Sequence, residues 1–258
     1  METIQLLDGN QYKKTELLER MNDDSFYYGE LNRLALSSSS MKLLLDSPKK
    51  YKYVQQYGQP STPAMDIGWL LHTAILEPHV FSAQKFVDVQ SKNTKAYKEA
   101  KAQHDGRVFT IKDKNNAERL ADAFLRNEHA LSYLKNAEFE KPVIGNVMGF
   151  PVRGKADILG DGYIADIKTT SDIKAFPYSA QKYSYELQCF LYCNLFDVKP
   201  KDFKFLVIDK GSLDIGIADC SEDFYFKGEQ KCERALDLYE SFFIDGVDLD
   251  SYCMNWTL

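Results

Sequence analysis

The feature that most constrains the fold of this chain is the stretch 154–168, in which two alternating segments flank an Asp-Gly pair. It reads Gly-Lys-Ala-Asp-Ile-Leu-Gly-Asp-Gly-Tyr-Ile-Ala-Asp-Ile-Lys. Asp-Gly between alternating apolar residues is a strong short-range signal for a two-residue β-hairpin turn. The sequence therefore predicts two antiparallel strands that turn at Asp161 and Gly162.

The pairing in this hairpin places three charged residues together. Paired residues have numbers with a constant sum, so Asp157 faces Asp166, with Cβ atoms about 5 Å apart, and like charges opposed in this way are destabilising. Mg²⁺ would neutralise them, because it is usually held by one or two carboxylates together with water and phosphate oxygens. Lys168 lies on the same face, since side chains alternate along a strand. Its ammonium can orient water or stabilise charge on a phosphate, so we expect a metal-dependent phosphodiester-cleaving site.

Two other interpretations of the hairpin remain open at this point. If Gly160 extends the loop to three residues, a bulge slips the pairing and the aspartates become diagonal neighbours. An ordinary solvated hairpin also accounts for the pattern, because short Asp and Lys patterns arise often by chance. The hairpin alone does not decide between these alternatives and a catalytic site.

Several motifs in a fixed order resemble the PD-(D/E)XK nuclease superfamily, and within it the phage and prophage exodeoxyribonucleases related to exonuclease VIII, or RecE. They are His72 on a predicted helix, Gly-Lys-Ala-Asp157, Asp166-Ile-Lys168, and the Gln-Cys-Phe-Leu-Tyr run at 188–192. Residues 36–51, with four consecutive serines and a proline, resemble the N-terminal element of that family. The "PD" pair appears here as Ala-Asp, a departure common in the RecB-like and RecE-like branches.

The resemblance implies a restriction-endonuclease-like α/β fold, with a mixed central sheet flanked by helices. A helix–sheet–helix order along the chain fits this class. We expect residues 36–258 to form the nuclease domain and residues 1–35 to form an N-terminal arm or extension. The predicted helices cover 39–56 with a break at Pro48, 64–77, 116–134, 183–196 and 222–243, and the predicted strands cover 139–146, 150–159, 163–169, 203–209 and 213–219.

The resemblance also assigns roles around the metal. Asp157 and Asp166 are expected to bind the ion, with the Ile167 carbonyl as a third ligand, and Lys168 is expected to position the attacking water. His72 would assist at the metal or the phosphate. A lone histidine at the margin of an apolar helical stripe is more often structural, so only the resemblance favours this role.

Glu140 is a candidate metal-proximal residue, because relatives often carry a glutamate on the preceding strand. An exposed carboxylate at a strand end accounts for it almost as well.

Five further residues are expected to contact the DNA. Gln188 and Tyr192 share a helix face at a spacing of four, although an amphipathic helix whose glutamine meets water also fits that spacing. Ser39, Lys49 and Lys50 lie on the family-like N-terminal element, where cations alternate with aromatics, and are expected to contact phosphates. A solvated surface is the alternative for the lysines.

Composition narrows the class of protein. The net charge of −6 argues against a protein that coats DNA non-specifically. It does not exclude a nuclease, because only the phosphate-contacting track must be basic. The five cysteines lack a paired Cys-x-x-Cys pattern, so we expect neither a disulfide framework nor the iron–sulfur cluster of Cas4-like relatives.

The hairpin and the resemblance together thus predict a Mg²⁺-dependent exodeoxyribonuclease, with Mn²⁺ able to replace Mg²⁺. The resemblance implies that it resects duplex DNA ends in the 5′-to-3′ direction for recombination. The resemblance implies a ring-shaped homo-oligomer and a single-strand annealing protein as partners. Without a visible secretory or membrane-spanning segment, we expect a cytoplasmic protein of a bacterial host or phage-infected cell. Two alternatives stay open: a RecB-like or Cas4-like nuclease with another substrate, such as flaps, single strands or internal sites, and a catalytically idle DNA-binding or recruitment module.

Overall fold

A computed structural model describes residues 2–254 of the chain. The strands are β1 (Thr3–Gln5), β2 (Gln11–Lys13), β3 (Lys85–Val87), β4 (Val108–Thr110), β5 (Glu138–Val147), β6 (Phe150–Gly160), β7 (Tyr163–Thr170), β8 (Phe203–Asp209) and β9 (Ile215–Asp219). The helices are α1 (Lys14–Arg20), α2 (Leu31–Leu34), α3 (Ser38–Asp46), α4 (Pro48–Tyr57), α5 (Pro63–Leu76), α6 (Pro78–Ser82), α7 (Lys95–Ala102), α8 (Ile111–Arg126), α9 (Glu128–Ser132), α10 (Phe176–Lys182), α11 (Tyr185–Phe196) and α12 (Glu222–Tyr239).

A five-stranded sheet in the order β5-β6-β7-β8-β9 forms the centre of the molecule. The β7–β8 pair is parallel and the other pairs are antiparallel. A parallel pair needs a crossover connection, and α10 and α11 provide it between β7 and β8. The predicted mixed sheet flanked by helices is confirmed.

Helices cover both faces of this sheet. On one side, the α5 face, helices α5 and α8 bury apolar residues of β6, β7 and β8, among them Ile158, Ala165, Ile167, Leu206 and Ile208. On the other side, the α11 face, helices α3, α11 and α12 pack over residues that include Ile164, Phe203, Phe205 and Val207. The hairpin that carries the predicted aspartates is therefore enclosed on both sides.

Helix α11 is apolar almost all round, as expected for a helix buried between a sheet and another helix. The side chains of Leu187, Cys189, Phe190 and Leu191 are all nearly inaccessible to solvent. Gly228 of α12 lies against this helix so closely that an added Cβ would stand 2.0 Å from the Glu186 carbonyl oxygen. Only glycine fits there, and α11 and α12 are consequently held in backbone contact.

On the side of β6 that faces β7, the backbone has two hydrogen-bonding partners, β7 itself and the segment before α3. Its ladder with β7 runs only from Ile158 to Gly160. Further back along β6, the Leu36 N–H donates to the Pro151 carbonyl at 2.9 Å, and the Arg153 N–H donates to the Leu36 carbonyl at 2.8 Å. The chain segment that leads into α3 thus occupies part of the edge that β7 leaves free.

Residues 2–35 form the β1–β2 hairpin, α1, a π-helical turn and α2. Their apolar side chains, including Leu17, Met21 and Leu31, form a cluster with Ile144 of β5. The segment therefore packs against the edge strand of the central sheet.

Strands β1 to β4 and helices α1, α2, α6 and α7 were not predicted, and the predicted elements differ from the structure mainly at helix ends. The helix predicted from residue 116 begins at Ile111, because Thr110 and Asp113 form a capping box. It ends at Arg126, and the Asn127 side chain caps the short helix α9 that follows. Helix α10 was not predicted, and α12 ends at Tyr239 with a π-helical turn after it. Within the described residues, every helix is too short or too polar to cross a bilayer.

Candidate metal and phosphate site

The β6–β7 hairpin has the two-residue turn that the sequence predicts. The ladder pairs are Ile158 with Ala165, Leu159 with Ile164, and Gly160 with Tyr163. Gly162 takes the left-handed backbone, with φ of +77°, that an Asp-Gly turn provides without strain. The pairing is therefore not slipped by a bulge, and the next positions in the register are Asp157 and Asp166.

The ladder does not continue to these two aspartates, and side chains replace it. Asp157 is buried, and its Oδ2 accepts the Ile167 backbone N–H at 2.8 Å. The same oxygen lies 3.2 Å from His72 Nδ1 of α5. The other ring nitrogen of His72, Nε2, lies 2.8 Å from the Ile167 carbonyl oxygen. A carboxylate and an imidazole thus take up both backbone groups of Ile167.

The histidine ring faces an acceptor on each side. A neutral imidazole carries one N–H and cannot donate to both the Ile167 carbonyl and Asp157. Only the imidazolium can donate to both acceptors. The neutral ring fits instead if a cation lies between its second nitrogen and the carboxylate. The His72–Asp157 pair therefore fits a site that holds an additional positive charge, either a proton on the ring or a cation.

Asp166 is almost wholly buried and has two partners. Its Oδ2 forms an ion pair with Lys168, and Gln188 of α11 donates from Nε2 to Oδ1. Burial alone would lower the pKa of Lys168, but the charges of Asp166 and Asp157 outweigh it, and the pKa is raised. Lys168 is consequently a fixed ammonium inside the site.

Glu140 on β5 completes a row of carboxylates across three strands. It lies between the pairs Phe139–Ile158 and Lys141–Ala156, and the continued register sets it opposite Asp157. Its φ of +49° is unusual for a non-glycine residue. Burial, reinforced by Asp157, raises the pKa of Glu140 to about 8. Burial, reinforced by Asp166, raises the pKa of Asp157 to about 6. Negative charge is therefore in excess at this end of the site.

The donor set fits a divalent cation. One ligand atom each from His72, Glu140 and Asp157 lies within 4.8 Å of the others. Two carboxylates and an imidazole, with their charge uncompensated, suit a hard or borderline ion. Asp166 is adjacent but is occupied by Lys168 and Gln188. The Ile167 carbonyl, a predicted ligand, is bonded to His72 in this arrangement.

Gln188 and Tyr192, which are predicted to contact DNA, both make hydrogen bonds to the hairpin strands in the structure. Both lie on α11 beside the hairpin, but the Gln188 amide holds Asp166 and does not project toward solvent. The Tyr192 hydroxyl donates to the Lys155 carbonyl at 3.0 Å and accepts the Lys155 N–H at 3.2 Å. Both side chains therefore position β6 and β7.

The predicted phosphate contacts lie on the surface formed by α3 and α4. Ser39 is exposed on the first turn of α3. Lys49 and Lys50 are exposed and form ion pairs with Asp250 at 2.6 Å and with Asp46 at 2.7 Å. The structure joins neither lysine to the carboxylate row, and surface pairs of this kind contribute little to stability.

Sequence reasoning missed Lys42, which lies one helical turn after Ser39 on α3 and reaches toward the site. The helical period of the family-like element was the signal that would have found it.

The sheet order, the two helical layers and the acidic hairpin with its lysine define a PD-(D/E)XK-type α/β fold. A family model described as "PDDEXK-like domain of unknown function" matches residues 37–243. The chain belongs to this family.

Two solved structures extend the comparison. A "Putative exonuclease" from Eubacterium rectale superposes with a TM-score of 0.64 at 14% identity, over 92% of this chain and 95% of that one. A "phage related exonuclease" from Haemophilus somnus 129PT gives a TM-score of 0.37 at 15% identity, over 82% of this chain and 96% of that one. The first likeness supports the fold. No curated protein matches the sequence.

Proposed function

We propose that this protein is a Mg²⁺-dependent exodeoxyribonuclease that degrades duplex DNA from its ends in the 5′-to-3′ direction and exposes a single strand for recombination. One observation carries the proposal. Glu140, Asp157 and Asp166 meet His72 and Lys168 where β6 and β7 separate. Membership in the PDDEXK-like family supports nuclease chemistry, and the sequence resemblance to RecE-like enzymes supports the polarity and the role.

The residues of the site have different roles in phosphodiester hydrolysis. His72, Glu140 and Asp157 would hold the ion, with Asp166 beside them. A bound divalent cation supplies Lewis-acid stabilisation of the charge that builds up on the phosphate. Lys168, kept charged by Asp166, orients the attacking water and adds a second positive charge. Gln188 keeps the Asp166 carboxylate turned toward Lys168.

The same resemblance supports the wider setting of the proposal. Mn²⁺ is expected to replace Mg²⁺, and a ring-shaped homo-oligomer would keep the enzyme on its DNA. A single-strand annealing protein would take over the exposed strand. These events belong to the cytoplasm of a bacterium or of a phage-infected cell.

The test is cleavage of matched DNA substrates by the purified protein. Linear duplexes labelled at the 5′ or the 3′ end, and the same DNA as a closed circle, are incubated with Mg²⁺, with Mn²⁺ or with EDTA. Early release of the 5′ label and an untouched circle are expected, with no product in EDTA. Cutting of the circle would instead indicate an internal nuclease, and metal-independent binding without product would indicate an idle module. Asp157→Asn controls for a contaminating nuclease.

A further inference from the structure

Lys42 of α3 lies at the opposite end of the site from Glu140. Its Nζ is 5.2 Å from the centre of the Tyr185 ring, and Lys168 Nζ is 5.0 Å from the same ring. The two ammonium groups are therefore within about 10 Å of each other, each in a cation–π contact with the same tyrosine.

Charges around Lys42 do not balance. The groups that face it are Lys168 and Asp166 of β7, Glu186 of α11 and Lys231 of α12. Asp166 is paired with Lys168, and buried Glu186 is paired with Lys231 at 2.5 Å. Within residues 2–254, Lys42 itself has neither an ion pair nor a hydrogen bond. Three lysines thus share two carboxylates, and positive charge is in excess.

An unpaired, partly buried ammonium next to another ammonium is costly unless an anion joins it. Burial, followed by the charge of Lys168, lowers the pKa of Lys42 to about 7. A bound anion would restore the charged form. The site therefore has an acidic end at Glu140 and Asp157 that calls for a cation, and a basic end at Lys42 that calls for an anion.

We propose that Lys42 is a phosphate-binding residue of this site, whose ammonium holds a DNA phosphate on the Lys168 side while the metal end acts on the scissile linkage. The proposal deepens the nuclease function and rests on it for the identity of the ligand. Lysine suits this task because its ammonium is a compact point charge that can donate hydrogen bonds to phosphate oxygens in many directions.

The test measures how DNA binding depends on salt in the Asp157→Asn background, which leaves the Lys168–Asp166 pair in place. Each phosphate contact contributes about 0.9 to the slope of log K against log salt for duplex DNA and about 0.7 for a single strand. Lys42→Met is expected to lower the slope by about one such contact. Lys42→Arg should restore it. Lys227→Met, which removes an exposed lysine paired with Asp223 on α12, is the matched control and should leave the slope unchanged.

Thermal unfolding separates this role from a structural one. Because Lys42 has no carboxylate partner, Lys42→Met should leave the Tm unchanged or raise it. A lower Tm together with an unchanged salt slope would overturn the proposal and make Lys42 a packing residue.

The outcomes also separate this proposal from the nuclease assignment. If the wild-type protein cuts DNA and Lys42→Met matches Lys227→Met in salt slope and kcat/KM, the Lys42 proposal fails and the nuclease stands. If the wild-type protein binds DNA without cutting it, and Lys42→Met still lowers the slope, the phosphate site stands and the catalytic assignment fails.

Discussion

The two ends of the β6–β7 pair differ sharply although they are only a few residues apart. At the turn end, three consecutive residue pairs form a regular ladder, and Ile158 and Ile164 are fully buried. At the site end, the ladder stops, and the backbone groups of Ile167 bond to Asp157 and His72. The turn end satisfies its own hydrogen bonds, whereas the site end depends on side chains from other layers.

This difference shows where a sheet can accommodate chemistry. Regular pairing leaves the backbone no free groups, so a polar centre needs a place where two strands part. The parting gives room for carboxylates in the interior, but their desolvation and mutual repulsion raise the pKa values of Glu140 and Asp157. The turn end therefore combines regular pairing with apolar burial, whereas ionisation of the carboxylates at the site end is unfavourable.

The largest expected effect comes from removing a carboxylate at the site end. Asp166→Ala should lower metal-dependent cleavage by at least about 10³-fold, because charge stabilisation of the transition state is lost and Lys168 loses its partner. Asp161→Ala, at the turn, should cut end-labelled duplex at the wild-type rate. Circular dichroism checks that both variants fold. Equal loss in the two variants, or none in either, would mean that the site is assigned to the wrong residues.

A cavity at the turn end should lower stability and leave cleavage nearly unchanged. Ile164→Ala removes a fully buried side chain and should lower the free energy of unfolding by about 3 kcal/mol. Cleavage per folded molecule at low temperature should stay within about threefold of wild type, because the aspartates keep their partners. Denaturant unfolding and a titrated activity assay measure the two quantities. A loss of activity as large as that of Asp166→Ala would show that the two ends are not independent.

A smaller, pH-dependent effect should come from Glu140→Gln. A carboxyl group whose pKa is raised to about 8 in the folded protein destabilises it as pH rises from the ordinary value of 4.5. In metal-free buffer, the variant should therefore be more stable than wild type at pH 8.5, by about 1 kcal/mol after allowance for partial exposure, and nearly equal to it at about pH 4.5.

Saturating Mg²⁺ should reverse the order at pH 8.5, since glutamine is a poorer ligand for the ion. Differential scanning calorimetry at the two pH values measures both effects. Glu138→Gln, which removes an exposed carboxylate two residues away, is the control and should shift stability by less than about 0.5 kcal/mol. A destabilised Glu140→Gln in metal-free buffer at pH 8.5 would contradict the excess of negative charge.

The sequence predicted those parts of the fold that depend on local rules. The Asp-Gly turn and the strict alternation on both sides of it determine the register of β6 and β7. Strand β8 was predicted at its observed bounds, because a short apolar run ends in Asp209. The early start of α8 was also readable, since Thr110 and Asp113 have the spacing of a capping box.

Non-local contacts could not be read from the sequence. Nothing in the order of residues indicates that the β6–β7 ladder stops before Asp157, or that His72 would reach the Ile167 carbonyl. Gln188 was expected to contact DNA, because it shares a helix face with Tyr192 and the pair resembles one that lies beside the hairpin in the family. In the structure Gln188 is buried, and its amide donates to Asp166. The helical period places Lys42 on the same face as Ser39, but its lack of a carboxylate partner among the described residues follows only from the pairing of Asp166 and Glu186 with other lysines.

The link between Leu36 and β6 makes the basic end of the site dependent on a long-range contact. The β5–β7 meander is built from contacts close in sequence, whereas Leu36 joins β6 only by closing a long loop. These two backbone hydrogen bonds, together with the buried side chains of Leu36, Met41 and Leu44, hold α3 against the sheet. The position of Lys42 therefore depends on contacts that are distant in the chain, whereas Glu140, Asp157 and Asp166 lie on three strands that are consecutive in the sequence.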